Sequence, residues 1–303
     1  MSPAAVPITE FLDMDLLSRL PNLELQARFL VEGFMTGLHR SPLRGFNVEF
    51  KEYRNYEPGD EPRTIDWKAF ARTDRLHVKV REEDTNLTAY IVIDATASMD
   101  FKSEHASLTK WIYARSLAAA MLLLLNRQRD AAGLVVYGDG GFDVIGPSRK
   151  LSEISRMFGA IDRSADGVSG SLSQTLEDLA AVAKRRSIVF ILSDFYEDPE
   201  AYDAPLRRLH FGGCEPVFIH MLDPLELDFD FRDPVRLLDL ETRNLLPVTP
   251  DLMRSRYLKQ FEAHRQALAR LARTYNGKYE VIRTDQPPYQ AMGAYLARRS
   301  EAL

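Results

Sequence analysis

The sequence predicts an α/β fold with a doubly wound, mostly parallel sheet, and two observations lead to that prediction. From residue 88 onward, strand-like apolar runs alternate with longer stretches of helical periodicity. The two most apolar runs, residues 88–94 and 187–192, have the continuous hydrophobic character of strands that are covered on both faces. Strands that alternate with helices pair in parallel, and the helices then lie on both sides of the sheet.

The other elements of this region follow from periodicity and turn residues. We predict helices over residues 103–127, 151–161, 172–183, 254–275 and 289–298. We predict further strands over residues 133–137, 142–146, 216–221 and 279–282, and an edge strand over 236–240. In a sheet of this kind, ligands bind beyond the carboxyl ends of the strands, so a site is expected in the loops after Ile93 and Leu192.

The first 87 residues differ in character from the rest of the chain. Residues 8–38 have the leucine and phenylalanine spacing of a helical segment, interrupted at Pro21-Asn22. The following residues hold turn signals and short strand-like stretches over 48–50 and 76–80. We therefore divide the chain into an N-terminal helical segment (1–38), a β-rich region (39–87) and an α/β domain (88–303).

Composition limits the classes of function. Hydrophobic residues make up 45% and charged residues 27% of the 303 residues, which suits a globular protein with a sizeable core. The formal net charge of −5 argues against nucleic-acid binding over the whole surface. A single cysteine, Cys214, excludes an intramolecular disulfide and a cysteine-rich zinc site. The most apolar stretch, residues 117–125, is shorter than the roughly 20 residues of a spanning helix, so we expect a cytoplasmic protein without a membrane span.

Oxygen-bearing side chains follow both central strands. Asp94, Thr96 and Ser98 stand at alternate positions where the first strand ends, and Ser193-Asp194 comes directly after the second. A carboxylate and two hydroxyls spaced in this way can turn toward one point. Such hard oxygen ligands suit Mg²⁺ or Mn²⁺.

Together with the long helix that follows the first motif, these residues resemble the metal-ion-dependent adhesion site of von Willebrand factor A domains. The resemblance implies a von Willebrand factor A-like fold, with Mg²⁺ or another divalent cation as cofactor. It implies that Asp94 bonds to the cation through water and that Asp194 is the distal carboxylate. Thr96 and Ser98 are then the hydroxyl ligands.

One position departs from that pattern. Adhesion sites of this kind normally carry a threonine in a loop between the two motifs, and Gly170 stands at the matching position. Ser169 and Ser171 are the candidates to replace its hydroxyl. The alternative interpretation is that the polar residues merely cap helices, since Asp and Ser are common N-caps. Two motifs in order, with a helix between them, favour a metal site.

A further run of residues, upstream of the first central strand, is more specific. Its characteristic residues are Arg54, Tyr56, Pro58, Gly59, Asp60, Arg63, Asp66, Trp67 and Arg72. The run resembles the signature of the family called domain of unknown function 58 (DUF58), whose members are similar to von Willebrand factor A proteins. They are typically encoded beside MoxR-type AAA+ ATPases, so the resemblance implies such an ATPase as the partner.

This signature has two interpretations. Alternating arginines and aspartates with aromatic neighbours favour a buried ion-pair network that fixes the region onto the sheet, because such combinations more often stabilise structure than bind ligands. The other interpretation is a surface that recognises the partner, and both roles are compatible.

Two classes of function remain, a binding module and an enzyme. Asp94 after an apolar strand is also typical of haloacid-dehalogenase-like phosphatases, but Thr96 stands where that chemistry needs its general acid. The sequence contains neither a Gly-x-x-x-x-Gly-Lys-Ser/Thr phosphate loop nor a Gly-x-Ser-x-Gly elbow. We therefore predict a non-catalytic protein-binding module. The alternative is a metal-dependent, phosphatase-like hydrolase that uses Asp94.

Overall fold

The computed structural model describes residues 20, 22–40, 53–55, 70, 77–79, 87–138, 141–163, 170–231, 235–238 and 245–286. Its helices are α1 (Leu23–Arg40), α2 (Lys110–Arg127), α3 (Leu151–Arg163), α4 (Leu172–Val182), α5 (Asp203–Phe211), α6 (Pro224–Asp228) and α7 (Pro250–Thr274). Short 3-10 helices cover Ala97–Asp100 and Pro199–Tyr202. Its strands are β1 (Tyr53–Asn55), β2 (His77–Lys79), β3 (Thr88–Asp94), β4 (Ala131–Gly138), β5 (Gly141–Ser148), β6 (Ser187–Ser193), β7 (Glu215–Leu222), β8 (Val235–Leu238), β9 (Leu245–Val248) and β10 (Lys278–Arg283).

Six of the described strands form one sheet in the order β10-β7-β6-β3-β4-β5. Neighbouring strands are parallel except for β4 and β5, which are antiparallel. The chain runs outward from β3 through β4 to one edge, and then from β6 through β7 to the other. This order confirms the predicted α/β fold, von Willebrand factor A-like and doubly wound. It also places the topological switch point between β3 and β6, where ligands of such sheets bind.

Different helices cover the two faces of the sheet. Along β3, Ala89, Ile91 and Ile93 face a core cluster that also contains residues of α1, α2 and α3. Tyr90 and Val92 face a second cluster with residues of α4, α5 and α7. Successive side chains of a strand point to opposite faces, so a strand between two helical layers needs the continuous apolar sequence that β3 has.

Helix α2 lies almost wholly within the first core cluster. Most of its residues are buried, including all of Leu117–Leu125. Its N-cap is Thr109, whose side chain accepts a hydrogen bond from the amide of Ile112, and Arg127 lies in its last turn. Both features suit helix termini, because the first turn has unpaired backbone amides and the last turn carries the negative end of the helix dipole. A helix that is apolar all round belongs in a core, as predicted for residues 117–125.

The start of α2 differs from the prediction. The helix begins at Lys110 and not at residue 103. The backbone amide of Ser103 instead donates a hydrogen bond of 2.9 Å to the Asp223 carboxylate, beyond the end of β7. The Ser103 hydroxyl also accepts a hydrogen bond from the His105 amide at 3.2 Å, and local side-chain-to-backbone bonds of this kind compete with helix formation.

The predicted edge strand over 236–240 also differs. Residues 235–238 form a strand, but β8 pairs with β9 as a separate antiparallel hairpin and does not extend the large sheet. Helices α5 and α6 and strand β9 were not predicted. The predicted strand over 48–50 and the helix over 289–298 lie outside the described residues, and the division into domains stays a prediction. Of the helices in the described part of the chain, none combines the length and apolar character needed to cross a bilayer.

We expect Gly277→Ala to destabilise the fold strongly. A Cβ at Gly277, in the turn between α7 and β10, would lie 2.2 Å from the carbonyl oxygen of Pro216 in β7. The backbone of the central sheet must move to relieve that contact, so the free energy of unfolding should fall by about 1–3 kcal/mol. Chemical denaturation measures this change.

Gly146→Ala is the matched control. A Cβ at Gly146 in β5 would meet no atom within 4 Å, so its free energy of unfolding should stay within about 0.5 kcal/mol of that of the unmodified protein. Equal losses in the two variants would contradict the close packing of Gly277 against β7.

Candidate functional site

A cavity of about 140 Å³ opens where β3 and β6 end, at the predicted switch point. It is lined by residues from the loops after both strands, by the end of β4 and by the start of α4: Asp94, Thr96, Ser98, Tyr137, Gly170, Leu172, Ser193, Asp194, Tyr196, Glu197 and Tyr202. The four residues predicted as metal ligands therefore share one cavity, although 100 positions separate Asp94 from Asp194. The parallel pairing of β3 with β6 brings them to the same edge of the sheet.

Hydrogen bonds fix the Asp94 carboxylate on both of its oxygens. Oδ1 accepts from the Thr96 amide at 2.9 Å and from the Thr96 hydroxyl at 2.6 Å. Oδ2 accepts from the Ser193 hydroxyl at 2.6 Å. The Thr96 and Ser98 hydroxyl oxygens lie 3.0 Å apart. The motif therefore turns its oxygens toward one another in the way that its alternate spacing predicted.

Two buried carboxylates, Asp94 and Asp194, dominate the electrostatics of the cavity. Burial of Asp94 and the nearby negative charge of Asp194 raise the pKa of the Asp94 carboxyl to about 6. Hydrogen bonds from Ser193 and Thr96 oppose that rise because they stabilise the carboxylate. Two carboxylates with little access to water thus face a cavity where positive charge would lower their energy.

Asp194 has a partner that the sequence analysis missed. The ammonium of Lys110, at the first residue of α2, lies 2.8 Å from Asp194 Oδ2 and 2.7 Å from Glu226 Oε1. Burial by itself would lower the pKa of Lys110, but the charges of Asp194 and Glu226 raise it well above its ordinary value. The local signal was a lysine at the start of a largely apolar helix, since a buried charge requires a partner.

The loop after β6 is held in an unusual backbone conformation. Phe195 has a φ of 51°, in the left-handed region that non-glycine residues seldom adopt. Its ring stacks on Phe218 of β7 at 4.9 Å, and its carbonyl lies 2.8 Å from the His264 ring nitrogen. These contacts hold a strained residue between Asp194, which is buried, and Tyr196, which is 54% exposed.

The position expected to hold threonine is glycine for a packing reason. A Cβ at Gly170 would lie 3.2 Å from the Cα of Gly138 and 3.2 Å from the Tyr137 ring, so the loop runs against the end of β4. Ser171 serves as the N-cap of α4, where its hydroxyl accepts from the amide of Gln174 at 3.2 Å. Ser169, the other candidate, lies outside the described residues.

Glu197 and Tyr202 are further residues of the cavity that the sequence analysis missed. Glu197 binds the start of α4 by accepting hydrogen bonds from the Leu172 amide and, at 2.6 Å, from the Ser173 hydroxyl. Tyr202 is fully buried; the Glu197 backbone amide lies near its hydroxyl oxygen, but among the described residues the hydroxyl hydrogen has no acceptor. A buried, unpaired O–H beside a polar cavity is a donor for a ligand.

Most of the family signature cannot be placed. Arg54 lies in β1, where its backbone is paired with Val78 of β2. The other signature residues are outside the described residues, namely Tyr56, Pro58, Gly59, Asp60, Arg63, Asp66, Trp67 and Arg72. Both interpretations of the signature, the ion-pair network and the partner surface, stay predictions.

Comparison with known proteins finds a family model over most of the chain. The model, described as protein of unknown function DUF58, matches residues 52–267. Uncharacterized proteins of Mycobacterium tuberculosis and Mycobacterium bovis are 28% identical over 292 residues, which is 95% of this chain and 90% of theirs.

Solved structures with a similar fold are more distant in sequence. The conserved hypothetical protein BatB from Bacteroides thetaiotaomicron is 13% identical with a TM-score of 0.45, covering 71% of this chain and 99% of its own. The SpRpn10 VWA domain is 12% identical with a TM-score of 0.39, covering 68% of this chain and 93% of its own.

We expect Gly170→Thr to weaken the fold without strengthening metal binding. The added side chain must displace the end of β4, which should lower the free energy of unfolding by about 1–3 kcal/mol. Differential scanning calorimetry with and without Mg²⁺ measures both effects. A variant with unchanged stability and a larger Mg²⁺-induced shift would show that the loop has room for the threonine.

Proposed function

The chain belongs to the DUF58 family, and we propose that it is a non-catalytic protein-binding module whose adhesion-like site holds a divalent cation. One observation carries the proposal: the Thr96 and Ser98 hydroxyls lie 3.0 Å apart beside the buried Asp94 carboxylate. Asp194 lines the same cavity from the neighbouring strand. A carboxylate pair and a hydroxyl pair form a donor set that suits Mg²⁺ or Mn²⁺.

The spacing of these oxygens supports the proposal. Mg²⁺ binds oxygen at about 2.1 Å with octahedral geometry, which puts adjacent ligands about 3.0 Å apart. The Thr96 and Ser98 hydroxyls have that separation, so both are suited to direct ligation. The cavity of about 140 Å³ also has room for water beside a cation, and Mg²⁺ keeps several of its waters when bound.

A cation held there would offer an open coordination position to a carboxylate oxygen of the partner. The protein's own residues prepare the rest of that contact. Asp94 is held on both oxygens by Thr96 and Ser193, so little ordering remains to be done on binding. The unpaired hydroxyl of Tyr202 is available to donate a hydrogen bond to an acidic side chain. The partner therefore presents an aspartate or glutamate at the centre of its interface.

The geometry gives less support to the alternative, a metal-dependent phosphatase-like hydrolase that uses Asp94. Both carboxylate oxygens of Asp94 already accept strong hydrogen bonds, which lowers their nucleophilicity. The position two residues later is Thr96, which cannot serve as the general acid. In the described ranges, no group of three or more His, Cys, Asp or Glu residues is arranged to hold a metal, so under either hypothesis a cation in this cavity depends on the Thr96 and Ser98 hydroxyls as well as on carboxylates.

The family supplies a candidate for the partner. Members of DUF58 are typically encoded beside MoxR-type AAA+ ATPases, so the proposal takes such an ATPase, acting in the cytoplasm, as the protein that is bound. The chain would then act as its adaptor in the assembly or activation of another complex. Analogy within the family supports the choice of this partner.

We expect Mg²⁺ to stabilise the protein and Thr96→Val to abolish the effect. At about 10 mM Mg²⁺, a dissociation constant of about 1 mM corresponds to about 1.4 kcal/mol of added stability. Thr96→Val keeps the shape of the side chain but removes one hydroxyl ligand. Thermal unfolding with and without Mg²⁺ measures the difference.

Thr274→Val, on the exposed surface of α7, is the control for that experiment and should keep the full Mg²⁺ effect. Equal Mg²⁺ shifts in the Thr96 and Thr274 variants would rule out a metal site at Thr96.

We expect Asp94→Asn to abolish binding of a MoxR-type ATPase from the same organism while the fold is kept. Asparagine has the size of aspartate but lacks the charge that attracts a divalent cation. Co-purification and near-ultraviolet circular dichroism measure binding and fold, and a phosphatase assay runs in parallel. Undiminished binding would refute the adhesion-like site, and metal-dependent phosphate release lost in Asp94→Asn would favour the hydrolase.

A further inference from the structure

We infer that Lys110 is a built-in counter-cation of the adhesion-like site, which positions Asp194 and sets how strongly the cavity binds a divalent ion. The inference rests on the proposed function and goes beyond it, because it assigns a role to a residue that is no ligand. Its basis is the set of groups around the ammonium, called here the Lys110 cage: Asp194, Glu226, Tyr196 and Phe101.

The cage holds the ammonium away from water. The Lys110 side chain has 0% exposure, and its Nζ makes ion pairs with Asp194 at 2.8 Å and Glu226 at 2.7 Å. The Tyr196 ring lies 4.8 Å and the Phe101 ring 5.8 Å from Nζ, both within the range of cation–π attraction. The lysine is therefore held in place by charge and by packing, from three separate segments of the chain: Phe101, the loop of Asp194 and Tyr196, and Glu226.

The two carboxylate oxygens of Asp194 differ in their hydrogen-bond partners. Oδ2 is bonded to Lys110, whereas among the described residues no donor contacts Oδ1. Oδ1 is thus the oxygen left for a water molecule on a cation in the cavity. Lys110 orients this free oxygen because the ion pair fixes the rotation of the carboxylate.

The same ion pair reduces the negative charge that a cation meets. Without Lys110, a divalent ion would face the full charges of Asp94 and Asp194. The fixed ammonium neutralises part of that charge and repels a second cation, and burial makes the repulsion stronger than it would be in water. A site of this kind binds metal weakly. Because the protein's own carboxylates then neutralise less of its charge, the bound ion attracts an acidic partner more strongly.

Tyr196 extends this arrangement to the surface. It is 54% exposed, lines the mouth of the cavity and donates its hydroxyl hydrogen to Glu226. A partner that covers the cavity therefore touches the residue that shields the ammonium. The residues that balance the charge of the metal site and the residue that the partner would contact therefore belong to one hydrogen-bonded group.

Lys110→Met tests the inference, because methionine has a similar length and no charge. We expect the dissociation constant for Mn²⁺, measured by electron paramagnetic resonance of the free ion, to fall by about tenfold or more. The metal-free melting temperature should also fall, because Asp194 and Glu226 lose their shared partner. Mn²⁺ should raise the melting temperature of the Lys110→Met variant by more than it raises that of the unmodified protein.

Matched variants separate this role from a merely structural one. Glu226→Gln leaves the ammonium wholly to Asp194, so the Mn²⁺ dissociation constant should rise. Lys102→Met removes an exposed lysine from the loop that leads into α2 and should leave the Mn²⁺ dissociation constant unchanged. If Lys110→Met does not fold, the double variant with Glu226→Gln removes one positive and one negative charge together. We expect that variant also to bind Mn²⁺ more tightly than the unmodified protein.

The outcomes distinguish this inference from the proposed function. Equal or weaker Mn²⁺ binding in the folded Lys110 variants overturns the inference, even if the unmodified protein binds Mn²⁺ and the ATPase. Mn²⁺ binding that appears only when Lys110 is replaced supports the counter-cation and overturns the metal part of the proposed function. Mn²⁺ binding in none of the proteins overturns both.

Discussion

The buried ion pair between Lys110 and Asp194 joins the elements on which both the core and the cavity depend. Helix α2 packs within the larger core cluster, and β6 lies at the centre of the sheet. Charges removed from water raise the energy of the fold unless their hydrogen-bonding capacity is met. Glu226 meets part of it, and its other oxygen accepts from the backbone amide of Asp223 at 2.8 Å. The start of α2 and the ends of β6 and β7 are thereby fixed relative to one another.

A chain of hydrogen bonds crosses the sheet next to this ion pair. The Tyr137 hydroxyl of β4 donates to Ser193 of β6, and Ser193 donates to Asp94 of β3. Asp94 then accepts from Thr96, whose hydroxyl contacts Ser98. Continuous networks of this kind are rigid when every member is satisfied. The oxygens that face the cavity are therefore held in place before any ligand binds. The conformational entropy of these side chains is lost during folding and not during binding.

The sequence was sufficient where a local pattern has one structural solution. The apolar runs at 88–94 and 187–192 require covered parallel strands, and that pairing alone brings Asp94 and Asp194 together. Lys110 could not be assigned from its neighbours because its two carboxylate partners are 84 and 116 residues away. The β8–β9 hairpin was misjudged for a similar reason, since strand character does not specify which strand is the partner.

The position of the cavity also determines how the fold would carry mechanical load. A force applied along β3 at its Asp94 end would act on a strand that lies between two parallel neighbours in register over most of its length. Hydrogen bonds to both neighbours then bear the force in shear and must break together. Peeling β5 from the sheet edge would instead break its bonds to β4 one at a time. The loop that follows β3 is thus attached to a strand whose hydrogen bonds share an axial load, and not to an edge strand that can be peeled away.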